Sequence, residues 1–148
     1  DYFAPTAAYR GRGLARSDLN RDGREDFVVS QLDDPAAVVI NQTATEHHGI
    51  TLRLVGTVAA RDAIGGHVVV ETSDTPPRTI HTWIIAGDGY QASNDHALVI
   101  GLGTTTASVT ATVFWPDGTE QRFEGLLPDR RWILRQGAAS GVALTVHE

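Results

Sequence analysis

The sequence predicts an all-β protein whose main part is an antiparallel β-sandwich. Helical periodicity is nearly absent, and short runs of β-branched and aromatic residues recur between Gly, Asp, Asn and Pro. The segments ITLRLVG and SVTATVFW alternate apolar and polar residues, as antiparallel sheets with one wet face do. Together these observations predict many short strands packed as two sheets.

The candidate strands follow one another at the spacing of an all-β domain. Their predicted ranges are Phe27 to Gln31, Ala37 to Asn41, Ile50 to Val55, His67 to Thr72, Thr79 to Ala86, Leu98 to Leu102, Ser108 to Trp115, Glu120 to Phe123, Trp132 to Arg135 and Val142 to His147. The sequence PDG at Pro116 to Gly118 predicts a tight hairpin turn. The sequence DDP at Asp33 to Pro35 predicts a turn between the first two of these strands.

The chain changes character near Asn41 to Gly49. Before this segment the pattern is strand, acidic loop, strand, turn and strand; after it come the longer alternating strands. We therefore predict two units, one over residues 1–44 and the sandwich over residues 45–148.

Composition disfavours several classes of partner. The net charge of -6 and the pI near 5.4 disfavour nucleic acid and anionic membranes, because both attract a basic face. The purely apolar runs, such as ALVI at Ala97 to Ile100, are far too short to cross a bilayer, so we expect no membrane insertion. Cysteine is absent, so disulfides and thiolate zinc sites are not possible.

No group of residues in the sequence predicts an enzyme. The sequence GLGTTT at residues 101–106 lacks the third glycine and the following helix of a dinucleotide site. The sequence GAASG at residues 137–141 is not a nucleophile elbow, because its serine is one place late. The six histidines form no His-x-x-x-His pair that would predict a helical zinc site. We therefore expect a non-enzymatic protein.

The acidic loop SDLNRDGREDF predicts a calcium site. Calcium takes six to eight oxygen ligands in irregular geometry, and a tightly curled loop can offer them from positions 1, 3, 5, 7 and 9. The ligands would be the side chains of Asp18, Asn20, Asp22 and Asp26 and the main-chain carbonyl of Arg24. An EF-hand is not predicted, because Val29 stands where its bidentate Glu would be. The alternative is a solvated turn stabilised by side-chain to backbone hydrogen bonds.

A second candidate site is the loop GDGYQASNDH at Gly87 to His96. It gathers aromatic, amide and carboxylate groups suited to a polar or glycan ligand: Asp88, Tyr90, Gln91, Asn94 and Asp95. The alternative is a loop between sheets whose polar groups satisfy its own backbone, with Tyr90 packed inward.

The tryptophans are expected in the core or at its rim. Trp83 and Trp115 lie within apolar strands, where large aromatic side chains are usually buried. We expect Trp115 to be buried at the strand end that precedes the PDG turn.

The order of motifs resembles two known families. GLARSDLNRDGREDFVVSQLDDPAAVVINQ resembles the FG-GAP repeat of β-propellers, in which a blade can carry a calcium loop between two strands. The rest resembles the ASPIC/UnbV domain, which follows FG-GAP propellers in cartilage acidic protein and many bacterial relatives. The matching stretches are LRLVGTVAARDAIGGHVVV, AGDGYQASND, LVIGLG and VTATVFWPDGTEQRF, in the family's order. The family's usual His-Trp-Leu start is altered, since Gly49 and Ile50 follow His48.

The resemblance implies a function as well as an architecture. It implies a partial β-propeller blade over residues 1–44, with a structural Ca²⁺, and an ASPIC/UnbV-like sandwich over residues 45–148, together forming the C-terminal part of a longer protein. It also implies an extracellular or cell-envelope location and an interaction or adhesion role, with an unknown protein or a glycan as partner. The alternative is a carbohydrate-binding accessory domain of a larger enzyme, which the sequence upstream of Asp1 would distinguish.

Overall fold

Residues 10–144, which the computed structural model describes, fold entirely into β-strands and loops. The strands within those residues are β1 (Gly11–Ser17), β2 (Asp26–Gln31), β3 (Ala37–Val39), β4 (His48–Val55), β5 (His67–Glu71), β6 (Thr79–Trp83), β7 (Leu98–Gly103), β8 (Val109–Phe114), β9 (Glu120–Leu126), β10 (Arg131–Arg135) and β11 (Val142–Leu144). The predicted all-β class is confirmed. Among the described residues there is no helix long and apolar enough to span a membrane.

Two four-stranded sheets form the sandwich. The first sheet has the strand order β11-β10-β4-β7, and the second has the order β6-β5-β8-β9. Neighbouring strands are antiparallel with one exception, since β10 runs parallel to β4. This parallel pair makes the first sheet mixed. Parallel neighbours cannot be joined by a hairpin, so the chain between them must make a long crossover.

A single hydrophobic core lies between the two sheets. Alternate residues of each strand point inward, so Leu52 of β4 and Val68 of β5 are fully buried. Phe123 of β9 is also fully buried, and each such side chain contributes about 1.5–3 kcal/mol through burial. Trp115 closes the core after β8 and is only 3% exposed, as its place before the hairpin turn predicts.

Trp83 differs from the expectation that it packs in the core or at its rim. It is 53% exposed, because it alternates with inward-facing Ile84 and therefore lies on the outer face of β6. The strand was predicted to continue to Ala86 but ends at Trp83.

The strands before Asn41 form a separate three-stranded antiparallel sheet, which we call the meander. Its order of strand, acidic loop, strand, turn and strand matches the predicted pattern. Val29 is its one buried hydrophobic side chain among the described residues. A propeller blade typically has four strands, so the partial blade remains a prediction.

Several other strand ends differ from the predicted ranges by one to three residues; β9, for example, continues to Leu126 instead of ending at Phe123. β3 ends at Val39 instead of Asn41, because the main-chain N–H of Asn41 donates to the Asp26 carboxylate and leaves the ladder. β11 is described from Val142 to Leu144, and the rest of its predicted range lies outside the described residues.

Candidate functional site

The acidic loop between β1 and β2 lies against the outer face of the first sheet. A Cβ atom placed on Gly49 of β4 would lie 3.9 Å from the carbonyl oxygen of Gly23. The Arg131 guanidinium of β10 lies 3.6 Å from the Asp18 carboxylate. An open cleft with a volume of about 430 Å³ lies between the loop and this sheet.

Two carboxylates fix the base of the acidic loop. Asp26 is fully buried, and its oxygens accept hydrogen bonds from the main-chain N–H groups of Leu19 and Asn41, each at 2.8 Å. Asp18 has a side chain only 1% exposed, and its Oδ2 accepts a hydrogen bond from the Gly23 N–H at 3.1 Å. Its other oxygen, Oδ1, is buried and has no hydrogen-bond partner among the described residues.

The tip of the loop is held by Asp22. Its carboxylate accepts hydrogen bonds from the Arg24 main-chain N–H at 2.9 Å, the Arg24 guanidinium at 2.8 Å and the Asn20 amide at 2.9 Å. Partial desolvation of Asp22 opposes its ionisation, but the hydrogen bonds from Asn20 and Arg24 together outweigh this and lower its pKa. Asp22 is therefore ionised at neutral pH.

The loop fits a calcium ion in part. Its potential ligands are all oxygens, and the unpartnered Asp18 Oδ1 is the kind of buried atom that a cation would satisfy. Within the described residues, however, no three His, Asp or Glu side chains lie close enough together to hold a metal. The cause is local, since Asp26 binds two main-chain N–H groups and Asp22 binds Arg24. Asp22 would have to exchange Arg24 for the ion.

The cleft beside the loop carries an excess of positive charge. Its charged lining consists of four arginines and two aspartates: Arg21, Arg24, Arg130, Arg131, Asp22 and Asp129. Four positive and two negative groups give a net charge of +2 with histidine neutral, whereas the whole chain carries -6. The cleft is therefore a basic region on an acidic protein.

The sheet side of the cleft combines small residues with one ordered polar pair. Gly49 and Gly101, opposite each other on β4 and β7, both line it. His48 Nδ1 lies 2.6 Å from an oxygen of Asp129, and the other Asp129 oxygen accepts the Gly49 N–H at 3.2 Å. This pair fixes the β9–β10 turn beside the first residues of β4.

The second predicted site, the loop Gly87 to His96, lies against β1. The Arg16 N–H donates to Asn94 Oδ1 at 2.9 Å, and the Asp95 N–H donates to the Arg16 carbonyl at 3.0 Å. Asp95 also accepts the Ser17 hydroxyl, and Asp88 lies 3.8 Å from the Arg16 guanidinium. The hydrogen bond from Asn94 lowers the pKa of Asp88. Asp88, Asn94 and Asp95 therefore join the sandwich to the meander.

The other two residues of that predicted site point away from these contacts. Tyr90 is 66% exposed, which differs from the alternative in which it packs inward. Gln91 is exposed and has a φ of 50°, in the left-handed region that a residue other than glycine adopts at local cost. Tyr90 and Gln91 are the members of the set that remain available to a ligand.

An exposed aromatic cluster lies on the outer face of the second sheet. The His67 ring stacks on Trp83 and Phe114, with centroid separations of 4.6 and 5.3 Å, and lies 5.3 Å from His81. These residues are cross-strand neighbours, because His67 pairs with Trp83 on β6 and with Phe114 on β8. Desolvation and the nearby His81 lower the pKa of His67.

Sequence reasoning missed this cluster, although a signal for it was present. In HVVVE and TIHTW the aromatic residues occupy the same alternating positions as Glu71 and Thr79, which face water. Alternation therefore places the rings on the wet face of the sheet.

The fold and these surfaces define a β-sandwich domain joined to a small β-meander. A protein-family model described as ASPIC and UnbV matches residues 56–141, which are 86 of the 148 residues. The chain therefore belongs to the ASPIC and UnbV family. No curated protein and no solved structure matches it.

Proposed function

We propose that this protein is a non-enzymatic interaction module that acts outside the cell or in the cell envelope. Membership of the ASPIC and UnbV family supports the proposal, as does the resemblance of the preceding residues to an FG-GAP repeat. In this proposal the chain is the C-terminal part of a longer propeller protein, and its partner is a protein or a glycan.

The observation that carries the proposal is the arginine-lined cleft. Arginine stays charged at every physiological pH, so these side chains suit the binding of an anion and not proton transfer. The His48–Asp129 pair, the ordered titratable pair of the cleft, is used to hold the main chain at Gly49. The charges of the cleft therefore favour binding over acid–base chemistry.

A structural Ca²⁺ in the acidic loop is part of the proposal. Asp18, Asn20, Asp22, Asp26 and the Arg24 carbonyl would hold it, and the buried unpartnered oxygen of Asp18 supports the assignment. The ion would neutralise the carboxylates and order the loop. The loop contains no histidine, and its serine, Ser17, donates its hydroxyl to Asp95, so no group is placed to use a metal-activated water and the expected role is structural.

The test has a localisation arm and a binding arm. The full natural gene product, tagged at its C-terminus, should be found in the medium or the envelope fraction and should be degraded by protease added to intact cells. Purified protein should then bind the surface of those cells saturably. A cytosolic, protease-protected location would contradict the proposal, and a cytosolic enzyme treated in parallel is the control.

A carbohydrate-binding accessory domain is the second candidate function, and the aromatic cluster favours it. Trp83 lies on the edge strand β6, with His67 stacked on one ring face and 53% of the residue exposed. An exposed indole of this kind can stack on a neutral sugar ring. Binding of a neutral glycan on an array, lost in Trp83→Ala and retained in Tyr90→Ala, would support this function, and a catalytic domain upstream of Asp1 would complete it.

A further inference from the structure

We propose that the cleft between the acidic loop and the first sheet is a binding site for an acidic sugar unit of a glycan. The groups recognised would be the carboxylate of a uronate or the sulfate ester of a sulfated sugar. This inference rests on the proposed interaction function and names its ligand class. It is carried by the charge, the shape and the chemistry of the cleft.

Two of the four arginines that line the cleft are available to a ligand. Arg21 of the acidic loop and Arg130 of the β9–β10 turn line the cleft, are exposed, and form no ion pair among the described residues. They come from separate parts of the chain and bring two guanidinium groups to one opening. Unpaired arginines at a concave surface attract oxyanions, because the guanidinium offers paired N–H donors that match carboxylate and sulfate geometry.

The other two arginines of the cleft are ordered by contacts within the protein. The Arg24 guanidinium is held by the Asn41 carbonyl at 3.2 Å and by Asp22 at 2.8 Å. The Arg131 side chain is only 18% exposed and lies 3.6 Å from Asp18. Ordered guanidinium groups lose less conformational entropy on binding than free ones, so these two would orient the anion, with Arg24 exchanging Asp22 for the ligand while the Asn41 carbonyl still holds it.

The cleft has the size and the open floor that a sugar ring needs. A volume of about 430 Å³ lies within the range of about 300–1,000 Å³ for small-ligand sites. Gly101 leaves open space in the cleft, because a Cβ atom at this position would meet nothing within 4 Å. A sugar ring has room above this glycine.

The uncharged side chains of the cleft suit a sugar better than a protein partner. Thr43, Thr45 and His47 also line the cleft and offer hydroxyl and imidazole groups that can hydrogen-bond to sugar hydroxyls. No Phe, Tyr or Trp is among the described residues that line it, so a ligand here would be held by charge and hydrogen bonds, and the buried aromatic anchors that are typical of protein interfaces are missing. An acidic sugar therefore matches the cleft better than an acidic peptide.

The experiment is calorimetric titration of the protein at about 50 mM salt with a calcium chelator present. The probes are an oligouronate, a sulfated oligosaccharide, a neutral oligosaccharide of the same length and an oligoglutamate peptide. We expect one or both acidic oligosaccharides to bind and the neutral one not to bind. The double variant Arg21→Gln, Arg130→Gln should weaken this binding at least tenfold.

Two matched variants separate a site from general charge. Arg61→Gln, Arg135→Gln removes the same two charges from exposed positions that do not line the cleft, and it should change the affinity less than twofold. Gly101→Phe fills the cleft without altering any charge and should abolish binding. Its thermal midpoint should stay near that of the natural chain, because the side chain enters open space.

Each contrary outcome has a defined meaning. Equal loss in the two double variants, or retained binding in Gly101→Phe, would overturn the site. Equal or tighter binding of oligoglutamate would overturn the sugar assignment in favour of an acidic peptide. If neither acidic oligosaccharide binds but the protein still binds the cell surface, the inference fails and the proposed function survives. A cytosolic location would instead defeat the proposed function.

Discussion

The outer faces of the two sheets differ in what lies on them. The first sheet has glycines at positions 49 and 101, and the acidic loop lies over it and leaves a basic cleft. The second sheet has the stacked rings of His67, Trp83 and Phe114, and it is open to solvent. Small residues on one face make room for another segment of the chain, whereas bulky rings on the other face cover the sheet themselves.

This difference separates two kinds of surface on one fold. Recognition at the first face would depend on charge and on a shape assembled from distant segments. Recognition at the second face would depend on apolar ring surface that a single sheet provides. Variants that change one face should therefore leave the other face unaffected.

The largest effect is expected when the meander, whose acidic loop lies over the first sheet, is deleted. A chain limited to residues 45–148 should fold, because both sheets and the entire core cluster lie within it. It should keep its near-ultraviolet circular dichroism and lose acidic-sugar binding completely, since Arg21 and Arg24 are deleted. An unfolded fragment would contradict the predicted boundary and show that the meander supports the sandwich.

The next largest effect distinguishes the two sides of the second sheet. Trp115→Ala should lower the free energy of unfolding by about 3–5 kcal/mol, because Trp115 is 3% exposed and its loss leaves a cavity in the core. Trp83→Ala should cost less than about 1 kcal/mol, because Trp83 lies on the outer face. Urea denaturation measures both, and similar losses would mean that the aromatic cluster also holds the fold.

Calcium should stabilise only the meander, whose acidic loop lies over the first sheet. At about ten times a dissociation constant of 0.1–1 mM, it would stabilise the meander by about 1.4 kcal/mol and leave the sandwich unchanged. Asp22→Ala should abolish the effect, while Glu25→Gln, which changes a neighbouring carboxylate paired with Arg16, should retain it. The measurement is calorimetric titration of a longer chain that includes the preceding residues. Failure to take up calcium at about 5 mM would leave the loop an acidic turn.

The smallest expected effect is a pH dependence of folding stability that comes from His67 on the outer face of the second sheet. Because the folded state holds the pKa of His67 below its ordinary value, the unfolded chain binds a proton more readily. Stability is therefore full above the unfolded pKa of about 6.5 and falls as the pH drops below it. In His67→Gln the urea midpoint should change less between about pH 7.5 and 5.5 than it does in the natural chain. The control His47→Gln should keep the natural pH dependence. An unchanged slope in His67→Gln would contradict this.

Local pattern predicted most strands but not every pairing. The ranges of β4, β5 and β8 were close to those observed, because clean alternation of buried and exposed residues marks them. A strand was predicted before the acidic loop, but no residue range was given for it, since GRGLARS lacks alternation of apolar and polar residues; this strand is β1. The parallel pairing of β4 with β10 was not predicted, because it joins segments about 80 residues apart and depends on the packing of the sandwich.

The candidate sites also differ in whether the sequence alone could predict them. The acidic loop was recognised because its residues are consecutive, and the hydrogen bonds of Asp18 and Asp26 now give it a defined geometry. The cleft was not recognised, because Arg21, Gly101 and Arg130 meet only in the folded chain. A short-range motif can be read from sequence, whereas a site built from three separate segments requires the fold.

The ion pair between Asp22 and Arg24 has a thermodynamic consequence for both proposed sites. Asp22 belongs to the loop's ligand set and Arg24 to the cleft, so neither partner can serve its own site fully while the 2.8 Å contact persists. Neutralising Asp22 would release the Arg24 guanidinium, and occupation of Arg24 by an anion would release Asp22. By reciprocity, calcium and the acidic sugar should raise each other's affinity by the same factor, and Arg24→Gln should remove that coupling. The loop and the cleft would then be coupled sites, each of which binds its own ion more tightly when the other site is occupied.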